Sequence, residues 1–567
     1  VHLKQDEPDT SNRLDGMKQG VIGQPISRVE GLAKVTGTAP YAAEYPIEGC
    51  VEGVLATATI TRGEILKIDK DSVLGMPGVI AVIDDPRLTT RAAQGTANEA
   101  PQQSPRTVCY WGQPIALVVA ETFEQARDAA KHLAVEYRPD DGAPLSPDAV
   151  QPEEQEDETV RQGDLVHAMS EAAHSVDVTF TTKGHASAAM EPHAAIAQWD
   201  GDQLTVHASL QMLNYNISEL ADAIDLPEEK VRLVSRFVGG GFGSKLGVSE
   251  ETVAAAIAAM QLERPVRVVM SRQQVFQCIM RRSETTQRLR LAADQKGRLT
   301  GFGHEALVSN LPGETFAEPV LQSSHFLYAA QNRKLMLEVA RIHRMTAGSV
   351  RAPGEAVGMP ALEGAMDVLA ERAGIDPVEL RLRNIPKENP EEGLPFSSHK
   401  LAECLREGAE AFGWDSGPRK PRQKREGEWW VGTGMASAAR VHNVGEAKAR
   451  VTLKPDGTAL VETDMTDIGT GTYTILAQIA GEMLGLDPEN VLVDLGDTRH
   501  PRGPGSGGSW GASSSGSAVY VACKALREEL ADRVGVTETE LDLADGKVVG
   551  GQSLAQEIGR ASCRERV

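Results

Sequence analysis

Two distant stretches of this chain spell the same succession of elements, and that repetition limits the possible folds more than any single motif does. In the first, a hairpin turns at Asp200-Gly201, a polar loop leads into the helical run "ISELADAI", and "LPEEKVRLV" begins another strand. In the second, a hairpin turns at Asp456-Gly457, the loop "DIGTGTYT" leads into "ILAQIAGEML", and the strand is "LDPENVLVDL". The offset stays at about 256 to 260 positions, as an internal repeat would hold it, although a hairpin followed by a helix is also a common unit. Two related α/β halves facing each other enclose a cleft, the usual place for a large ligand.

The rest of the 567 residues is arranged around these halves. A polar tail, 1–20, precedes an α/β unit, 21–143. In that unit "GCVEGVLATATI" and "GVIAVID" read as strands and "PIALVVAETFEQARDAAKHLAVEYRP" as strand, helix and strand. The Pro- and acid-rich stretch 144–170 reads as a surface linker. The first half then spans 171–415 and includes helices in "ALEGAMDVLAERAG" and "LAECLREGAEAFGW". A basic loop, 416–429, is either solvated or a partner-docking run, and the second half occupies 430–557. With 58 basic against 80 acidic residues the net charge is −22, which argues against a general nucleic-acid or anionic-membrane surface. No run is long and apolar enough to span a bilayer, and the polar start shows no secretory signal. Cys50, Cys109, Cys278, Cys404, Cys523 and Cys563 are too scattered to read as a zinc site or an iron–sulfur cluster.

Four segments are rich in Gly or small polar residues: "GGGFG" (239–243), "RAPGEAVG" (351–358), "DIGTGTYT" (467–474) and "GPGSGGSWGASSSGSAV" (503–519). Serial glycines can turn successive N–H groups to one side as an anion-binding concavity. The usual phosphate motifs nevertheless fail. After "GGGFG" comes Ser244-Lys245-Leu246 rather than Gly-Lys-Ser/Thr, and the match Gly503-x-Gly505-x-x-Gly508 follows no convincing strand. Any one of the four could be only a tight loop. Spread over both halves of a repeat, they point to one extended polar ligand, with helix N-termini after "DIGTG" and "GSWGA" offering N–H groups to it. Arg351 and Arg440 could each hold a phosphate, polarise a substrate oxygen or form a surface salt bridge. Glu191-Pro192-His193 could hold an acid and a base or a structural histidine, and Gln211 could donate from the cleft wall or cap a loop.

The segments "GGGFG", "MEPHAAIAQWDGDQLTV", "RAPGEAVGMPALEGAMDVLAERAGIDPVELRLRN" and "ETDMTDIGTGTYTILAQIAGEMLG" resemble the large subunits of the xanthine dehydrogenase and aldehyde oxidase family of molybdenum hydroxylases. The likeness runs from about Val21 to Glu557 and is strongest to the molybdenum-binding subunits of the periplasmic aldehyde-oxidising type. It implies an α+β fold, with an α/β hammerhead domain followed by a two-part cofactor-binding domain that contains the repeat. It also implies that molybdenum is held by the sulfurs of a pterin, so no protein ligand is needed. The expected cofactor is molybdopterin cytosine dinucleotide. Carried over by position, the residues touching it are Gly240, Gly241, Phe242, Gly243, Ile468, Gly469, Thr470, Gly511 and Ala512. Gln211 would approach the metal's apical ligand, with Arg351 and Arg440 lining the metal site or a phosphate.

The implied reaction is oxidation of an aldehyde to a carboxylic acid with water as the oxygen source. Alternatives are a non-catalytic cofactor-binding member and a purine hydroxylase. Xanthine-type members carry Glu where this chain has Leu246, which favours an aldehyde. Neither iron–sulfur nor flavin is expected on this chain, so a small iron–sulfur subunit and an FAD-binding subunit are the implied partners. The expected location is the periplasm, reached by co-export with a partner, or else the cytoplasm. Residues 558–567 match, codon for codon, the translation of a common sequencing adapter. The expectation is a truncated chain whose catalytic glutamate lies beyond its end and which is itself inactive and poor in cofactor.

Overall fold

The computed structural model describes residues 19–89 and 106–548, apart from Ser397, Ser416, Pro418, Arg419, Pro421 and His442. The adapter-like run 558–567, Cys563 and most of the polar tail lie outside the described residues.

The main sheet has seven strands. They include β1 (Val51–Thr57), β2 (Val79–Ile83), β3 (Pro114–Ala120), β4 (Ala194–Trp199), β5 (Leu204–Ala208), β6 (Val231–Val234) and β7 (Val266–Val269), in the order β6-β5-β4-β7-β1-β3-β2. "PIALVVA" is buried at every position, as a strand covered on both faces must be, and it lies between β1 and β2. The hammerhead unit read at 21–143 is therefore joined to the first half by the sheet itself: β1 pairs parallel with β7, Val51 against Val266.

The repeat is present and extends further than the sequence suggested. β5 pairs parallel with β6 across helix α1 (Leu213–Ile224). From β6 the first glycine-rich run leads into helix α2 (Glu250–Leu262), which is apolar on all sides and buried. A second sheet is built on His174–Thr182, Thr285–Ala293, Leu299–Asn310 and Asn332–Arg341. It is covered by helix α3 (Glu355–Ala373), whose Val357, Leu362, Met366 and Leu369 pack with Leu289, Leu291 and Phe302. In the second half, β8 (Arg450–Leu453) and β9 (Ala459–Thr463) form the hairpin. β9 pairs parallel with β10 (Val491–Leu495) across helix α4 (Thr472–Leu484), and the last glycine-rich run opens helix α5 (Gly511–Val534). Both crossover helices end on a left-handed residue, Asp225 (φ 56°) and Gly485 (φ 64°).

The two copies meet edge to edge. Val234 bridges Asp497 antiparallel, Ser235 N donates to Gly496 O at 2.7 Å, and Thr498 N donates to Leu233 O at 3.1 Å. Gly496 has to be glycine, because a Cβ there would lie 2.2 Å from the Ser235 carbonyl oxygen.

The structure corrects one reading of the chain's organisation and adds detail to two others. The stretch 144–170 is no free linker: Glu153–Glu154 and Val160–Gln162 pair with the strand Asn332–Arg341, and a helix follows at Leu165–Glu171. These strands are too short and acidic to show a β pattern, and the partner strand supplies their stability. The end of the polar tail is docked, because Gly20 N and Val21 N donate to the Glu482 carboxylate at 3.0 and 2.6 Å. The basic loop 416–429 closes into a hairpin, Lys424–Glu426 with Trp429–Val431.

Candidate cofactor site

The "GGGFG" loop follows β6 and is held from beneath along its length. Gly240, Phe242 and Gly243 have φ of 93°, 56° and 96°. Phe242 is 38% exposed, while Gly240, Gly241 and Gly243 are buried. A non-glycine residue in the left-handed region is strained and persists only where its surroundings over-determine it. The surroundings do so here. Arg351 N donates to Phe242 O at 2.7 Å, Ser244 Oγ donates to Gly241 O at 2.8 Å, and the Gln211 amide oxygen accepts from Gly243 N at 3.0 Å. At Gly241 a Cβ would lie 2.2 Å from Gln211 Oε1, and at Gly243 it would lie 1.7 Å from Ser349 O. The glycines thus let protein close on protein beneath the loop and leave the phenylalanine ring standing above it.

Gln211, two residues before α1, joins two of the four segments to each other and to Thr466, the residue that precedes a third. Its Oε1 accepts from Gly243 N and from Lys245 N at 3.3 Å, and its Nε2 donates to Ser506 O at 2.6 Å. Its backbone oxygen accepts from Ser506 N at 2.7 Å and from Thr466 Oγ1 at 3.0 Å. Gln211 is 2% exposed. The sequence placed it at a cleft wall; the structure makes it the brace between the first glycine-rich loop and both second-half loops.

The "RAPGE" turn is braced from below by a buried ion pair. Arg282 Nη1 donates to Glu318 Oε1 at 2.5 Å and Arg282 Nη2 to Val350 O at 2.8 Å, while Gly354 N donates to Glu318 Oε1 at 2.7 Å. Arg351 itself is exposed. Arg440 Nη1 donates to both carboxylate oxygens of Glu355, at 2.8 and 3.0 Å, and its Nε donates to Ser509 Oγ at 3.2 Å, so it ties the first turn of α3 to the last glycine-rich loop. Arg351 and Phe242 are thereby neighbours, and Arg440 belongs to the Ser509 loop.

In the second half Ile468 is half-buried, Gly469 and Thr470 are exposed, Gly511 is buried and Ala512 is exposed. Arg28 reaches this region and donates from Nη1 to Gly469 O at 2.8 Å. Trp510 Nε1, Ser515 Oγ and Asp467 Oδ2 are buried and have no hydrogen-bond partner. Buried polar atoms without partners are costly, so this side fits a large ligand carrying its own donors and acceptors. Asp464 donates backbone N–H to Pro501 O at 2.9 Å, and burial pushes its carboxyl up to about 7.

Glu191 and His193 are not set up as an acid and base. Glu191 pairs with Lys245 at 2.8 Å. His193 is buried, with Nε2 2.8 Å from Ser244 O, and burial followed by the nearby Lys245 charge lowers it to about 3, so it is neutral. Leu246 is 7% exposed, and a Cβ at Gly507 would lie 2.9 Å from its Cδ2, so its side chain fills space beneath the last glycine-rich loop. The sequence reading missed Lys245, Arg282 and Glu318. The available signal was a lysine directly after a glycine run inside an apolar context. Among the described residues no group of three or more His, Cys, Asp or Glu could hold a metal ion, and Cys50, Cys278, Cys404 and Cys523 are free thiols.

Three family models match the chain. They are the a/b hammerhead domain of aldehyde oxidase and xanthine dehydrogenase over residues 36–141, and two molybdopterin cofactor-binding domains over 149–385 and 407–565. The chain is 44% identical over 557 residues to the aldehyde oxidoreductase molybdenum-binding subunit PaoC of Escherichia coli O157:H7, covering 97% of this chain and 75% of that protein. It is 27% identical to the xanthine dehydrogenase molybdenum-binding subunit of the same organism, covering 92% and 74%. Quinoline 2-oxidoreductase from Pseudomonas putida 86 has the same fold, with a TM-score of 0.84 at 22% identity over 97% of this chain and 77% of that one.

Proposed function

Because the chain belongs to the aldehyde oxidase and xanthine dehydrogenase family, we propose that it is the molybdopterin-binding catalytic subunit of an enzyme that oxidises aldehydes to carboxylic acids. The carrying observation is the 44% identity to an aldehyde oxidoreductase subunit along 97% of the chain. Two-electron redox chemistry comes from the molybdenum when the cofactor is bound. Gly240 to Gly243, Ile468 to Thr470, Gly511 and Ala512 hold that cofactor between the two copies of the repeat. Gln211 fixes the loops relative to one another and Phe242 borders the reacting centre. Arg351 and Arg440 offer positive charge to a phosphate or to a substrate oxygen. Leu246, buried where purine-type members carry Glu, supports an aldehyde over a purine.

The overall balance is RCHO + H2O → RCOOH + 2H+ + 2e−, and the electrons need an acceptor. Among the described residues no cluster of cysteines is placed to take them, which supports an iron–sulfur subunit and an FAD subunit as partners. The cytosine dinucleotide form of the cofactor and a periplasmic location reached by co-export extend the same reading. No helix among the described residues is long and apolar enough to cross a membrane.

The test is to purify the subunit as its native gene encodes it, together with its partners, then to measure molybdenum, the nucleotide released by acid hydrolysis, and turnover of a panel of aldehydes against xanthine. Near-stoichiometric molybdenum with CMP and aldehyde turnover is expected. Molybdenum-free protein, or turnover of xanthine alone, overturns the proposal.

A further inference from the structure

We propose that Glu191 and Lys245 are positioning residues: a buried ion pair that clasps both ends of the Gly239–Lys245 loop and keeps Phe242 raised, in the shape the cofactor needs, before the cofactor arrives. The inference rests on the cofactor reading of that loop.

One carboxylate oxygen carries the clasp. Glu191 Oε2 accepts from Gly239 N at 2.8 Å and from Lys245 Nζ at 2.8 Å, so a single atom bonds the first and last residues of the loop. Lys245 Nζ also donates to Glu191 O at 3.1 Å, and Glu191 N donates to Gly239 O at 3.1 Å. The other carboxylate oxygen accepts from Ala42 N at 3.3 Å, which anchors the clasp to the N-terminal segment. The lysine side chain is fully buried and the glutamate side chain is 11% exposed. Gly239 has no room for a side chain, since a Cβ there would lie 2.5 Å from Glu191 Cβ.

A buried ion pair of this kind is an expensive way to gain stability, because desolvation cancels much of the attraction and well-packed apolar replacements often do as well. Its geometry gives it a different use. Between the two clasped ends the chain takes positive φ at Gly240, Phe242 and Gly243, and at Phe242 that conformation is strained. Gln211 N still donates to Lys245 O at 2.7 Å and Arg351 N to Phe242 O at 2.7 Å when the lysine charge is lost, so the clasp acts by raising the share of molecules in which Phe242 keeps its positive φ. Preorganisation of this sort acts on ligand binding more than on folding.

The test separates the two roles. Glu191→Gln and Lys245→Met each remove one charge of the pair, whereas the double variant E191Q/K245M removes both; buried Glu251, which also faces the Lys245 charge, keeps its bonds from Ser249 Oγ and Thr252 Oγ1 at 2.8 and 2.9 Å. In the full subunit with its partners, thermal unfolding is compared with molybdenum per chain by elemental analysis. The expected result is that the double variant regains the wild-type unfolding midpoint while its molybdenum content stays down by at least ~10-fold. Molybdenum that returns with the folded fraction in the double variant overturns the inference and leaves the pair a stability feature. A wild-type complex that binds no molybdenum overturns the cofactor reading itself, and the positioning role with it.

Discussion

The two copies of the repeat differ most where they are most alike. Each runs strand, helix, parallel strand, glycine-rich loop and helix. In the first copy the link from strand to helix is the short run 209–212, and the glycine-rich loop beyond β6 is sealed beneath by protein atoms. In the second copy that link is the long run 464–471, with Gly469 and Thr470 exposed, and the later loop leaves Trp510 Nε1 and Ser515 Oγ without partners. Protein atoms also close on Gly503, Gly505 and Gly511 of the later loop, and His207 Nδ1 and Asn214 Oδ1 of the first copy are buried without a hydrogen-bond partner among the described residues. The contrast therefore lies in the strand-to-helix link, which the first copy keeps short and buried and the second leaves partly exposed for a ligand to cover.

The sharpest way to break this contrast is to place the same substitution in each copy. Gly243 and Gly469 have nearly equal φ, 96° and 98°. At Gly243 a Cβ meets a backbone oxygen at 1.7 Å, while at Gly469 nothing lies within 4 Å. Gly243→Ala should cost ~4 kcal/mol or more, from overpacking against immovable backbone added to conformational strain. Gly469→Ala should cost only ~1 kcal/mol, the conformational part alone. Urea unfolding of the apo proteins measures both, and equal losses would mean that the second loop is as sealed as the first.

A smaller effect tests the brace between the copies. Gln211→Leu leaves Gly243 N and Ser506 O buried without partners and should destabilise by ~2 to 3 kcal/mol. Thr466→Val removes the hydroxyl that lies 3.0 Å from Gln211 O and 3.1 Å from Ser506 Oγ and should cost ~1 kcal/mol. The double-mutant cycle should show coupling, since both act through residue 211. Strict additivity would place the two contacts in separate networks.

The strands, helices and hairpin turns of both copies were legible because their patterns are local. β1 against β7 was not, because Val51 and Val266 lie far apart in the chain and each strand reads only as apolar. Gln211 was picked out as a polar residue at a cleft, but its bracing role depends on partners at 243, 466 and 506 that no spacing rule connects. Glu191 and His193, separated only by Pro192, left an acid and base or a structural histidine open. The structure shows that Lys245 claims the glutamate and that burial keeps the histidine neutral.

The finest test uses one histidine from each copy, because their pH responses should have opposite signs. His193, beneath the first glycine-rich loop, is lowered to about 3 by burial and by the Lys245 charge. Between about 3 and the ordinary value of about 6.5 the unfolded chain binds the extra proton, so acidification through that window destabilises the fold, by of order 1 kcal/mol per pH unit. His500 lies at the seam of the second copy, with Nε2 3.4 Å from Asp494 Oδ2 and Nδ1 3.4 Å from Glu462 Oε1. The Asp494 carboxylate is the largest influence and raises its affinity for a proton against the opposing effect of burial. There the folded chain binds the extra proton, so the stabilisation is full below about pH 6.5 and is lost as pH rises through the raised value. His193→Gln should therefore lose its disadvantage relative to wild type as pH falls, while the disadvantage of His500→Gln should grow. Thermal unfolding of both variants and wild type across the same pH series decides the matter. Parallel curves would show that the second copy buries its seam histidine as tightly as the first copy buries His193, and the contrast between the two copies would not extend to their charges.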